Sequence, residues 1–189
     1  LSRRRIATYL RQTTTLDHLS GGRLTLGVGL GVDGGGELTR FGEETDPRTR
    51  AEVLDEATDV LVRAWAGEHV EHRGDHVVVD GVTFSPTPVQ RPRPPLWCAA
   101  RGRALRPVRR AARFDGLFLI EVGVDDLRRA IDEVVAVRGD LDGFDVAVMV
   151  GPFADPALLD VDGVTWAMTS LAPDEPFAEA LGIATAGPT

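Results

Sequence analysis

The chain has 189 residues, 43% hydrophobic and 26% charged, with a formal net charge of −8. That is length and apolar content enough for one cored domain, and the negative balance argues against nucleic acid or an anionic membrane surface as partner. One cysteine, Cys98, excludes an internal disulfide and any multi-cysteine metal site and fits a reducing cytoplasm, and no apolar run approaches the roughly 20 residues of a bilayer span.

The start, "LSRRRIATYLRQTTT", is basic and lacks the apolar h-region of a secretory signal. Ile6 to Leu19 reads as a helix with Ile6, Tyr9, Leu10 and Leu16 as apolar contacts, stopped by Gly21-Gly22. Leu24 to Gly29 reads as a strand that runs into a glycine burst, "LTLGVGLGVDGGGE". A second helix begins with Asp46 as N-cap and Pro47 at the first position. Its stripe is Val53, Leu54, Ala57, Val60, Leu61, Ala64 and Trp65, and Gly67 ends it.

"EHVEHRGDHVVVDGVTF" reads as a polar hairpin turning at Gly74-Asp75. The proline-rich "SPTPVQRPRPP" is extended and leads into a short buried strand, Leu96 to Ala100, so it reads as a loop within one domain. A helix over Ala104 to Arg113 and a strand over Gly116 to Ile120 follow. A helix capped by Asp125 carries Leu127, Ile131, Val134 and Val135 and ends at Gly139. Phe144 to Val150 and Val164 to Met168 read as strands, and Glu175 to Leu181 as a short last helix. Apolar strands alternating with amphipathic helices imply an α/β chain with a parallel sheet.

Gly29-Leu30-Gly31-Val32-Asp33-Gly34 satisfies the letters G-x-G-x-x-G. A dinucleotide turn needs a helix at its third glycine and an acid ending the next strand, roughly 20 residues on. Here the glycines lead into the polar, broken "GGELTRFGEETDP", and the acids at that distance, Glu52, Asp55 and Glu56, lie on the second helix. The better reading is a strand whose Gly27 and Gly29 let a backbone or planar ring approach, with Gly31 and Gly34 to Gly36 opening into a mobile loop.

Together these residues carry a likeness. "TTTLDHLSGGRLTLGVGLG" resembles the signature of the luciferase-like monooxygenase family, whose members use flavin or the deazaflavin F420. The likeness continues in order through "FGEETDPRTRAEVLDEATDVLVRAWAGEHVEHRGDHVVVDGVTFSPTPVQRPRPPLW", "RPVRRAARFDGLF", "GVTWAMTSL" and the closing "GIATAGP". It implies a TIM-type (β/α) barrel that is incomplete. Residues 1–189 form one domain equivalent to the last five β/α units, without the N-terminal three. An eight-stranded barrel cannot close with five strands, so either the chain is a fragment or its exposed sheet edges are closed by a homo-oligomer or another chain.

The same resemblance implies an oxidoreductase or monooxygenase acting on a small organic substrate with FMN or F420, the choice undecided. The competing reading is a non-catalytic barrel remnant that serves as a structural or interaction domain. Gly29, Leu30, Gly31 and Val32 match the family's loop beside the flavin ring and phosphate. Ala100, Arg101, Gly102 and Arg103 stand where relatives hold the phosphate, between a strand and a helix N-terminus. For the arginines the alternative is a solvated face, to which Arg106, Arg109, Arg110 and Arg113 are assigned.

Further residues bear on chemistry. Glu121 ends a strand and either points into the pocket or is an exposed loop acid. Trp166 reads as core packing, and Cys98 as a core residue rather than a nucleophile. His18 is expected at the surface. His69, His72 and His76 invite a metal, but alternation along a hairpin sends His69 and His72 to opposite faces and no zinc spacing is met, so no metal is expected. No catalytic acid or base is assigned.

Overall fold

The computed structural model describes residues 1–150, 155–171 and 174–186. The chain divides into two compact units, Leu1–Leu96 and Trp97–Thr189.

In the first unit, helix α1 spans Ile6–Ser20 and ends at Gly21, whose φ of 64° is the left-handed C-cap that glycine adopts without steric cost. Its buried face differs from expectation. Leu10 is buried, but Leu16 and Leu19 are exposed, and Thr13, Thr14 and Asp17 are buried instead. The polar residues are tolerated because most of them are bonded. Thr13 Oγ1 donates to Tyr9 O at 2.8 Å and accepts from Trp65 Nε1 at 3.2 Å.

Strand β1 (Leu26–Val28) is shorter than the expected Leu24 to Gly29. Its Leu26 N–H donates to Pro95 O at 2.9 Å, which ties it to the end of the proline segment. Helix α2 (Pro47–Trp65) starts as expected, with the Asp46 carboxylate accepting from Thr49 N at 2.7 Å. Leu54, Ala57, Val60, Leu61, Ala64 and Trp65 of the expected stripe are buried. Each fully buried large side chain contributes about 1.5–3 kcal/mol. The hairpin is β2 (His69–Arg73) against β3 (Val78–Thr83), antiparallel, with a bulge between Val70 and His72 and the expected turn at Gly74.

In the second unit, β4 (Leu96–Arg101), β5 (Gly116–Ile120), β6 (Asp145–Val150) and β7 (Trp166–Thr169) run parallel and in chain order. Cys98 pairs with Leu117, Leu117 with Val146, and Val148 with Ala167. Helices α3 (Leu105–Ala111) and α4 (Val124–Arg138) connect the strands, and α5 (Phe177–Ala186) follows them. Alternate strand residues Cys98, Ala100, Leu117, Leu119, Val146 and Val148 are buried, as are Val108, Leu127 and Val134 of the helices.

The opposite sheet face is different. Trp97 lies across its neighbour Gly116, where a Cβ would stand 2.4 Å from the indole. The Trp97 and Trp166 rings are 5.8 Å apart and tilted by 59°.

Several expectations are corrected. Trp166 is not core: it is 51% exposed, and its Nε1 donates to Asp145 Oδ1 at 3.0 Å. It sits on β7, an edge strand, so one flank has no neighbouring strand among the described residues. Asp125 does not cap α4. Gly123 is the N-cap and Asp125 lies in the first turn, where its charge still suits the helix dipole. Arg110 is buried rather than solvated. Helix α3 is shorter than expected and α5 starts and ends later. Of "GIATAGP", Gly187 and Pro188 lie outside the described residues.

Candidate functional site

The glycine loop is the first element to place. β1 ends at Val28, and Gly29 to Val32 carry the chain out of the strand, with Gly31 at φ 70°. They line a cavity of about 510 Å³ together with Leu1, Ser2, Arg3, Arg4 and Tyr9. Arg3 is engaged at 3.5 Å by Glu37 from the same wall. Burial raises the Tyr9 phenol above its ordinary pKa, against an opposing effect of Arg4, so the hydroxyl stays protonated at neutral pH.

Two residues that sequence reasoning did not single out hold this loop. Asp33 Oδ1 accepts from Leu38 N at 2.6 Å and Thr39 N at 3.2 Å, which folds Gly34 to Gly36 back into a turn. The Leu38 amide bond is the main cause holding its carboxyl below the ordinary range. Arg50 of α2 is 7% exposed, and its Nη1 donates to Leu30 O at 2.9 Å and Gly31 O at 3.5 Å. Arg50 stands in helical register with the stripe residues Val53, Leu54 and Ala57, which was the available signal, and charged residues are rarely buried without partners.

The second cluster follows β4. Ala100 is buried, and Arg101, Gly102 and Arg103 leave the strand toward α3. Gly102 has φ 54°, and its N–H donates to Ile120 O at 3.1 Å. A Cβ there would meet nothing closer than Glu121 O at 3.9 Å. Both arginines have acidic neighbours: Arg101 lies 3.3 Å from Glu121, and Arg103 lies 3.1 Å from Asp126. These pairs are exposed and worth about 0–1 kcal/mol, so a ligand anion can compete for either guanidinium.

Glu121 is thus an exposed acid paired with Arg101. Its φ of 55° is uncommon for a residue with a side chain and marks local strain at the carboxyl end of β5. Gly29 to Val32 lie in the first unit and Ala100 to Arg103 in the second.

The histidines are distributed over separate partners. His69 contacts Thr83 Oγ1 at 3.1 Å, His72 lies 3.5 Å from Glu56, and His76 lies 3.4 Å from Glu52. His72 and His76 both face carboxylates of α2. Among the described residues no group of three or more His, Cys, Asp or Glu side chains is placed to hold a metal ion. Cys98 is buried, and His18 is exposed and contacts Thr87 O at 2.9 Å.

The chain can now be compared with known proteins. The profile of the luciferase-like monooxygenases matches residues 1–157. The chain belongs to the luciferase-like monooxygenase family. It is similar to the uncharacterized protein y4wF of Sinorhizobium fredii, 44% identical over 84 residues, which is 44% of this chain and 24% of that protein.

Its fold is similar to the coenzyme F420 dependent tetrahydromethanopterin reductase of Methanopyrus kandleri, with TM-score 0.65 and 20% identity over 79% of this chain and 48% of the other. It is also similar to the oxygenating constituent of 3,6-diketocamphane monooxygenase from Pseudomonas putida, a structure in complex with FMN, with TM-score 0.60 and 16% identity over 82% of this chain and 47% of the other. The chain spans less than half the length of these proteins. At these identities the likeness shows the fold, an α/β incomplete TIM-type (β/α) barrel, as the family resemblance implies.

Proposed function

We propose that this chain is one luciferase-like domain that binds FMN or F420 and takes part in an oxidoreductase or monooxygenase reaction on a small organic substrate in the cytoplasm. The observation that carries this reading is the cavity of about 510 Å³ walled by Gly29 to Val32 and by Arg3, Arg4 and Tyr9. Its size falls within the roughly 300–1,000 Å³ of small-ligand sites. Glycines on one wall let a flat ring lie against the backbone, and guanidinium groups on the other suit an anionic ligand. Family membership and the F420 and FMN named for the two structural relatives support it.

When bound, such a cofactor supplies the redox step, as a hydride or by activating oxygen. The chain's own residues bind and orient. Gly29, Leu30, Gly31 and Val32 form the wall. Ala100, Arg101, Gly102 and Arg103 are the candidates for the phosphate, with Arg101 and Arg103 released from Glu121 and Asp126 to pair with it. Titration of the chain with FMN, and separately with F420, followed by fluorescence, tests the reading. Saturable binding of either supports it, and no binding of either by a folded chain overturns it.

A second reading has its own observation. Trp166 and Met168 on edge strand β7 are 51% and 43% exposed. An apolar, unpaired edge invites pairing with another strand, which favours a homo-oligomer or a module held by a partner. Sedimentation separates the two: a monomer at micromolar concentration removes the homo-oligomer.

A further inference from the structure

The glycine loop has an underside as well as a face. Arg50 Nη1 takes the carbonyls of Leu30 and Gly31, while its Nε is buried without any partner. A trans peptide group is planar, so a carbonyl and the N–H that follows it point in opposite directions. The Leu30 carbonyl turned toward Arg50 therefore turns the Gly31 N–H away from it. The Gly31 carbonyl does the same for the Val32 N–H. Neither N–H has an acceptor among the described residues. Gly31 and Val32 both line the cavity that Arg4 also lines. Successive backbone N–H groups beside a left-handed glycine form an anion-binding concavity.

We propose that Arg50 is a positioning residue for an oxyanion site: by drawing two loop carbonyls beneath the surface it presents the Gly31 and Val32 amides, with Arg4 nearby, to a phosphate or carboxylate group. This rests on the reading of Gly29 to Val32 as the wall beside the cofactor ring and phosphate, and deepens it by naming the buried side chain that sets the wall's amides. The oxyanion belongs to the cofactor or to an acidic substrate. The buried cation serves the loop from behind. One guanidinium nitrogen, Nη1, faces both carbonyls, and lysine at this position keeps the charge but not the planar group that fixes where that nitrogen sits.

The test uses inorganic phosphate as probe and hydrogen exchange of residues 29–33 as readout. In the unaltered chain phosphate slows exchange at Gly31 and Val32. Arg50→Met removes that protection and weakens phosphate binding about tenfold, the worth of one charge-assisted hydrogen bond. Arg50→Lys restores part of it, which a purely structural loss would not. Val32→Pro removes one N–H while leaving Arg50 in place, and it also weakens phosphate binding should Arg50→Met fail to fold.

FMN compared with riboflavin assigns the source. An affinity gap that closes in Arg50→Met means the cofactor phosphate is held here. A gap that persists while inorganic phosphate binding falls means an acidic substrate group is held. Unprotected Gly31 and Val32 amides in the unaltered chain, or phosphate protection undiminished in Arg50→Met, overturn the proposal. Phosphate protection without binding of FMN or F420 overturns the cofactor reading and leaves this one standing.

Discussion

Gly74 at the hairpin turn and Glu56 on α2 lie so close that a Cβ on Gly74 would stand 2.2 Å from Glu56 Oε2. The missing side chain lets the Glu56 carboxylate enter the turn. There it accepts the backbone N–H groups of Asp75 at 3.0 Å, His76 at 3.1 Å and Val77 at 2.8 Å. An anion held by three successive amides fastens the hairpin to the helix.

Glu56→Ala should therefore cost about 2 kcal/mol of stability, because three backbone donors, that of Val77 partly buried, lose a charged acceptor. Gly74→Ala should cost a comparable amount by pushing the turn off the helix. Thermal melts check both, and a Gly74→Ala chain as stable as the parent removes the argument.

Asp17 makes the matching prediction on α1. It is fully buried and accepts from Val89 N at 2.7 Å, Gln90 N at 3.1 Å and Gln90 Nε2 at 2.8 Å. Burial acts to raise its pKa, but the Gln90 and Val89 donors together outweigh it and hold the carboxyl below the ordinary carboxylate range. A depressed carboxyl contributes stability that is complete above its unfolded pKa and fades as pH falls through the folded one. Asp17→Asn should lose about 1–3 kcal/mol at pH 7 and should flatten the loss of stability below about pH 4. Unfolding by urea at pH 7 and pH 3 measures both. An acid limb as steep as the parent's would exclude Asp17 as a contributor.

Gly102 separates conformation from contact. Its φ of 54° strains any side chain, yet the space beside it is open. Gly102→Ala should cost about 1–2 kcal/mol from backbone strain. Gly102→Val adds bulk on the side proposed for the phosphate and should weaken FMN or F420 binding while the chain stays folded. Unchanged affinity in that variant sinks the assignment of Ala100 to Arg103.

Asp46 is a local test. Its carboxylate accepts from both the amide and the hydroxyl of Thr49, at 2.7 and 2.8 Å. Asp46→Ala should destabilise the chain by about 1 kcal/mol, with the loss absent in Asp46→Asn, which keeps the acceptor. Chemical denaturation of the pair decides it.

Helix α2, the Gly74 turn and strands β4 to β6 were legible in the sequence because their causes are local. A cap three residues from its donor, a stripe with helical period and a glycine at a turn act over a few neighbours. The family signature was legible for the same reason, as a run of residues in order. The tertiary structure alone decided which polar groups are buried and what they hold. Arg50 reaches carbonyls 20 residues back, and Asp17 meets amides more than 70 residues on. Neither pairing has a period. The sheet face was likewise beyond reading, since alternation says that Trp97 and Trp166 avoid the face of Cys98 but not whether anything covers theirs. Burial depends on what folds against a residue, and that is set by partners distant along the chain.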